Sequence, residues 1–223
     1  MNPKVLIPSS GPDDWKRFLA QPELHWATGY SARTLAHAWE AGAGLPSEIA
    51  ALTDEAFGQS ELLFAVPEHK TALPGGRRES QSDVFLLVRH PEGLATYTIE
   101  GKVDEPFGPT VGEWLVDASS GKTERLSVIC DLLGLGSPPS DVHYQLLHRT
   151  ASALVEAGRF DATLAGMIVH SFSPENRWRD AFDRFIGLFE QSAAPTEPVI
   201  VTVPSGKRLM LGWASGSQEF RLA

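Results

Sequence analysis

Between Ser82 and Gly108 the chain reads SDVFLLVRHPEGLATYTIEGKVDEPFG, two apolar runs parted by His90-Pro91-Glu92-Gly93. Runs of Val, Leu, Phe, Thr, Tyr and Ile on either side of a Pro/Gly turn fold as an antiparallel hairpin, so a sheet stands at the centre of the fold. Strand side chains alternate with period two. Thr96, Thr98, Glu100 and Lys102 therefore share one face, and Tyr97, Ile99 and Val103 take the other. Strand rise sets Glu100 and Lys102 roughly 7 Å apart. Asp83 heads the neighbouring strand and converges on them if the strands diverge there. Two acids and a lysine at a strand end make a candidate site for a divalent cation and a phosphate.

ELLFAVPEHK (61–70) adds a strand before the hairpin, and three strands with short connections make an antiparallel meander. The intervening TALPGGRRESQS is glycine-rich and basic but lacks the Gly-Lys-Ser/Thr ending of a nucleotide P-loop. It reads as a mobile hairpin connection, with Arg77 and Arg78 as alternative contacts to a substrate backbone. The preceding chain is helical. DDWKRFLA (13–20) opens with acids, Ser31 is a candidate cap for ARTLAHAWEAG, and Pro46-Ser47 start SEIAALTDEAFG, with Ile49, Leu52 and Ala56 at helical spacing. After Gly108, Thr110 is a candidate cap for VGEWLVDA, and GKTERLSVICDLLGL continues to Gly134. DVHYQLLHRTASALVEAG (141–158) carries the stripe Tyr144, Leu147, Ala151, Leu154 and Val155. ATLAGMIVHSF (162–172) is apolar almost throughout, the pattern of a strand buried on both faces. Ser173-Pro174-Glu175 predicts a helix start for PENRWRDAFDRFIGLFEQ. QSAAPTEP reads as a linker, and PVIVTV with KRLMLGWAS as a hairpin around Pro204-Ser205-Gly206.

A length of 223 residues fits one domain, 1–223. No apolar run approaches the ~20 residues that span a bilayer, and the amino terminus carries too short an apolar patch for a signal peptide, so the expected location is cytoplasmic. The single cysteine, Cys130, excludes an intrachain disulfide and a thiolate zinc cluster, and reads as core. A net charge of -9 argues against a broad nucleic-acid-coating surface, since Lys and Arg carry phosphate affinity. It leaves room for a local basic rim around an acidic metal centre. The histidines are dispersed, with no His-Glu-x-x-His among them, and His170 inside its apolar strand reads as core. There is no Gly-x-Ser-x-Gly elbow. Trp39, Trp114 and Trp178 lie on patterned helices and read as core.

In order, the elements run helices, three meandering strands, helix, strand, helix and hairpin. That order resembles the αβββαβ core of the restriction-endonuclease-like PD-(D/E)XK phosphodiesterase superfamily over about residues 31–173. Extra amino-terminal helices precede this core, and a helix and β-hairpin (174–223) follow it. The resemblance implies an α+β or α/β fold with a mixed central sheet. It also implies an aspartate on the second core strand and a Glu-x-Lys on the third, around magnesium, with manganese as an alternative. Asp83 matches the aspartate, Glu100 the acid and Lys102 the lysine; Ser82 stands where a proline often precedes the aspartate. Asp83, Glu100 and the main-chain carbonyl of Gly101 would hold the cation, and Lys102 would orient the attacking water.

The family usually adds an acid from the first helix. Glu40 is the first choice here, ahead of Glu48 and Glu55. In several branches a glutamine on the helix after Glu-x-Lys supports the site; Gln145 stands at such a place and shares a helix face with His148 or Arg149 and Ser152. A second Glu-x-Lys, Glu68-His69-Lys70, ends the first strand beside Pro67 with no strand-borne aspartate before it, so Glu100 and Lys102 are preferred. The chain is also similar to bacterial proteins carrying PEHK, EGKVDEPFG and HSFSP segments, a likeness that brings no activity with it. The implied function is a metal-dependent nuclease acting on nucleic acid, DNA foremost, with no membrane partner and with a homodimer as one option. Two alternatives stand beside it: a catalytically inactive nuclease fold serving as a binding or assembly module, and a small-molecule metal hydrolase on an unrelated α+β fold.

Overall fold

The structure is a computed structural model that describes residues 9–191 and 197–223. Its centre is one mixed sheet of six strands: β1 (Glu61–Thr71), β2 (Ser80–His90), β3 (Gly93–Lys102), β4 (Leu164–Ser171), β5 (Val199–Thr202) and β6 (Arg208–Ser215). They lie in the order β1-β2-β3-β4-β6-β5. The first three form the expected antiparallel meander; β4 runs parallel to β3 and β6 parallel to β4, while β5 closes the edge antiparallel to β6. A parallel step from β3 to β4 needs a long crossover. Helices α4 (Val111–Trp114), α5 (Ser120–Leu133) and α6 (Tyr144–Arg159) supply it. Every residue of β4 is buried, as its unbroken apolar run demands.

Helices cover both faces. On one, α2 (Ser31–Glu40) and α3 (Ser47–Phe57) set Leu35, Trp39, Ile49 and Leu52 on Val84, Leu86, Tyr97 and Ile99. On the other, α5, α6 and α7 (Arg179–Gly187) set Ile129, Leu147, Ala151 and Phe185 on Met167, Val169 and Leu211. The class is α+β with an open six-stranded mixed sheet between helical layers. Cys130 is buried, and His170 is fully buried with Nε2 2.8 Å from Glu48 Oε1. Among the described residues no helix is long and apolar enough to cross a membrane.

Several local expectations are displaced by tertiary bonds. The acidic segment at 13–20 forms a 3₁₀ helix, η1 (Pro12–Phe18), followed by the single turn α1 (Pro22–His25). Ser31 is the first helical residue rather than the cap, and the exposed backbone donor there is met from outside, Ser31 N donating to Glu105 Oε1 at 2.7 Å. Thr110 does build a capping box with Glu113, yet α4 lasts only to Trp114. The helix expected from Pro174 starts five residues later. Asn176 and Trp178 take left-handed backbones with φ 51 and 69, while Trp178 Nε1 donates to Asp104 O at 3.1 Å, so a turn pinned by that bond precedes α7. The linker read at 191–198 lies mostly outside the described residues. The terminal hairpin is β5–β6, and the chain then ends in a second 3₁₀ helix, η2 (Gln218–Leu222).

Candidate active site

The site begins with a defect in the sheet. β2 and β3 pair from His90 opposite Gly93 to Val84 opposite Ile99 and no further, although β2 remains paired to β1 as far as Ser80 and β3 to β4 as far as Lys102. Beyond Val84 the two strands part, and Asp83 and Glu100 would have been the next partners. Asp83 Oδ2 accepts the Gly101 N–H at 2.8 Å, a side chain standing in for the lost ladder bond. A Cβ on Gly101 would lie 3.3 Å from that same oxygen and 3.2 Å from Leu35 Cδ2. The glycine inside Glu-Gly-Lys therefore admits the aspartate.

Strand alternation delivers the rest. Thr96 and Thr98 donate their hydroxyls to the α6 carbonyls of Ala153 and Arg149, at 2.8 and 2.9 Å, so this face of β3 lies under α6. Glu100, two residues on, is 2% exposed and fully engaged. Its Oε1 accepts from Lys102 Nζ at 2.6 Å and Gln145 Nε2 at 2.7 Å, and its Oε2 accepts from Arg149 Nε at 2.7 Å. Arg149 also donates to Ser80 Oγ, which lies 2.8 Å from His148 Nδ1. Gln145 and Arg149 sit one helical turn apart on the α6 face turned to the sheet.

The charges do not balance evenly. Burial by itself would lift the Glu100 carboxyl, but Lys102 and Arg149 outweigh it and hold the group down at about 2. Asp83 goes the other way: burial first, then the Glu100 charge, push it up to about 7 against the opposing pull of Arg149 and Lys102. His148 is pushed down to about 3 by burial and by Arg149 beside it, so it is neutral at physiological pH.

Of the residues expected from the sequence, Asp83, Glu100, Gly101, Lys102 and Gln145 are brought together. Glu40 is not. Its Oε1 accepts from Trp15 Nε1 at 2.7 Å and Ser9 Oγ at 2.6 Å, because the end of α2 packs against η1 rather than the parted strands. Glu48 bonds His170, and Glu55 is exposed on α3. The third acid comes instead from β1. Pro67 pairs with Val84 and His69 with Ser82, which sets Glu68 across from Asp83. Glu68 has a left-handed backbone, φ 52, and its Oε2 accepts from Gln81 Nε2 at 2.6 Å. Burial, then the Asp83 charge, with a lesser push from Glu100, lift its carboxyl to about 8. The duplicated Glu-x-Lys was the sequence signal for it. Arg149 is the other addition, one of two residues the helical spacing offered.

Among the described residues, no group of three or more His, Cys, Asp or Glu side chains is arranged as a ready metal cage. The donor chemistry nevertheless fits a hard cation: the groups converging at the parted strands are carboxylate and main-chain oxygens, and two of the acids are raised by burial first and then by neighbouring negative charge, the second of which a cation would offset. Fold and site together define an α+β protein whose parted central strands hold an acid–lysine–arginine cluster. Residues 8–218 match the family model described as a domain of unknown function (DUF6946), and the chain belongs to that family. No curated protein and no solved structure matches it.

Proposed function

We propose that the chain is a metal-dependent phosphodiesterase, using magnesium or manganese, that cleaves nucleic acid, DNA foremost. The observation that carries this reading is the parting of β2 from β3 at Asp83 and Glu100, with both acids and Lys102 gathered where the ladder ends. The element order, three antiparallel strands followed by a crossover helix and a parallel fourth strand, agrees with the restriction-endonuclease-like core and supports it further. Asp83 uses Oδ2 for the Gly101 N–H and would bind the cation through Oδ1, with Glu100 and the Gly101 carbonyl as further oxygen donors. A cation held there supplies Lewis acidity toward water and the phosphoryl oxygens. Gln145 and Arg149 hold Glu100 in one orientation. Lys102, its ammonium buried against Glu100, would orient the attacking water and stabilise negative charge on the phosphate.

One observation favours a second reading. Both Glu100 oxygens are already taken by Lys102, Gln145 and Arg149, as in a closed charge network that serves only to fix the fold, and this suits a catalytically inactive binding module. Cleavage of a labelled DNA strand in magnesium separates the two. Asp83→Asn, Glu100→Gln and Lys102→Met are each expected to lower the rate by about 10²-fold or more while circular dichroism stays native. Undiminished cleavage in all three, or no cleavage by the wild type together with no calorimetric heat on magnesium or manganese titration, would sink the phosphodiesterase.

A further inference from the structure

Beside the site lies a cavity of about 790 Å³, within the range of small-ligand pockets and far larger than a lone phosphate requires. Ser80 and His148 belong both to its lining and to the hydrogen-bonded chain that ends on Arg149 and Glu100. A chain of side-chain hydrogen bonds therefore links the cavity wall to Glu100.

Its charge is opposite to that of the chain. In a protein of net charge -9, Arg77, Arg78, Lys122 and Arg125 all line this one space. Glu79 is the acid among the lining residues, and no ion pair joins any of these four cations to a carboxylate among the described residues. Arg125 is buried and serves as a brace: Nε donates to Pro74 O at 3.3 Å, Nη2 to Leu73 O at 2.9 Å and Nη1 to Arg78 O. A Cβ on Gly75, whose φ is +77, would lie 2.6 Å from the Arg125 backbone, so this glycine lets the loop lie flat on α5. The loop between β1 and β2 is thus tied down, and Arg77 and Arg78 project from a fixed base as exposed side chains. The opposite wall is aromatic. Trp114 and Tyr144 stack with centroids 3.8 Å apart, His148 lies against Tyr144, and Lys122 Nζ sits 5.3 Å from the Trp114 ring centre.

We propose that this cavity holds one nucleotide unit of a single nucleic-acid strand, its phosphate on Arg77 and Arg78 and its base against the Trp114–Tyr144 wall. Paired arginines suit a phosphate, and an aromatic wall suits any base without reading its sequence. The proposal rests on the phosphodiesterase reading for its choice of a nucleic-acid strand as occupant. The binding itself needs neither metal nor cleavage.

The test is therefore made in EDTA on the full chain. Fluorescence anisotropy of a short labelled single strand is measured for the wild type, for Arg77→Ala/Arg78→Ala, and for Arg89→Ala as a charge control on an exposed arginine that pairs with Glu61. The double variant is expected to bind at least tenfold more weakly and to flatten the slope of log affinity against log salt by about 0.7, the share of one phosphate on a single strand. The control is expected to match the wild type. Deoxyadenosine monophosphate is expected to displace the strand. A strand that binds tenfold tighter than the mononucleotide assigns the cavity to polynucleotide, and equal affinities assign it to free nucleotide. Equal binding by the wild type and the double variant, or no displacement by the mononucleotide, overturns the cavity. Arginine-dependent binding without cleavage by any variant in magnesium upholds the cavity and sinks the nuclease; cleavage with an unaltered KM in the double variant does the reverse.

Discussion

Asp83→Asn is expected to stabilise the protein while removing the proposed cleavage, and the size of the gain follows from the site. The wild-type carboxyl is lifted from an ordinary 3.8 to about 7 by burial and by Glu100. A group raised on folding contributes stability that is fully present below the unfolded value and is lost as pH rises through the folded one. Wild-type stability should therefore fall between about pH 4 and pH 7 on account of Asp83. Each unit corresponds to about 1.4 kcal/mol, so the ceiling is roughly 4 kcal/mol, and about 2 kcal/mol is the realistic figure once partial exposure and relaxation are allowed for. Asparagine carries no charge, and its amide oxygen can still accept the Gly101 N–H. Thermal unfolding at pH 4 and pH 8 reads the difference. The variant should be near wild type at pH 4 and melt about 4–8 °C higher at pH 8, at 2–4 °C per kcal/mol for a chain of this size. Saturating magnesium should raise the wild-type melting temperature and leave the variant unmoved. A variant less stable than the wild type at pH 8 would refute the premise that an ionised Asp83 is held there against the stability of the fold.

Two further outcomes separate the acids and test the glycine. Glu40→Gln is expected to leave DNA cleavage unchanged and to cost about 1 kcal/mol through its bonds to Trp15 and Ser9, whereas Glu68→Gln is expected to weaken magnesium binding by calorimetry at least tenfold; the reverse pattern would return the third acid to the helix. Gly101→Ala inserts a methyl 3.3 Å from Asp83 Oδ2 and should cost only about 1 kcal/mol in urea unfolding while lowering kcat at least tenfold, and wild-type kcat in that variant would break the link between the glycine and the aspartate.

What could be read from the chain alone divides along physical lines. The pairing of Glu100 with Lys102 and their separation from Tyr97 and Ile99 follow from strand parity, a local property, and the structure keeps it. The buried β4 was legible from its unbroken apolar run, also a local property. Glu40 was misplaced because a helix end carries no signal of which neighbour it meets; the docking of Trp15 on its carboxylate is a contact 25 residues away. The delayed start of α7 has a similar cause, since the Trp178–Asp104 bond spans 74 residues and outweighs a good local start signal.

Glu68 shows most clearly why a tripeptide could not settle the site. Its copy of Glu-x-Lys sits on a strand like the other, and strict alternation would turn Glu68 and His69 to opposite faces. Yet His69 stacks on Phe85, the ladder partner of Val66, and lies 3.1 Å from Glu156 of α6, on the face that alternation from Val66 would give to Glu68. The left-handed backbone at Glu68 is what breaks the alternation there, and nothing in the identity of a glutamate announces φ 52. Its lysine, Lys70, keeps the strand rule and stays exposed beside Gln81. The two copies are therefore divided between roles, one supplying an acid and a lysine and the other an acid alone, and the division is decided by where β2 leaves β3. Strain of this kind persists where the surroundings over-determine it. Here the surroundings are the β1–β2 pairing on either side of Glu68 and the Gln81 amide on its carboxylate, so the departure from alternation and the gathering of acids are one structural event.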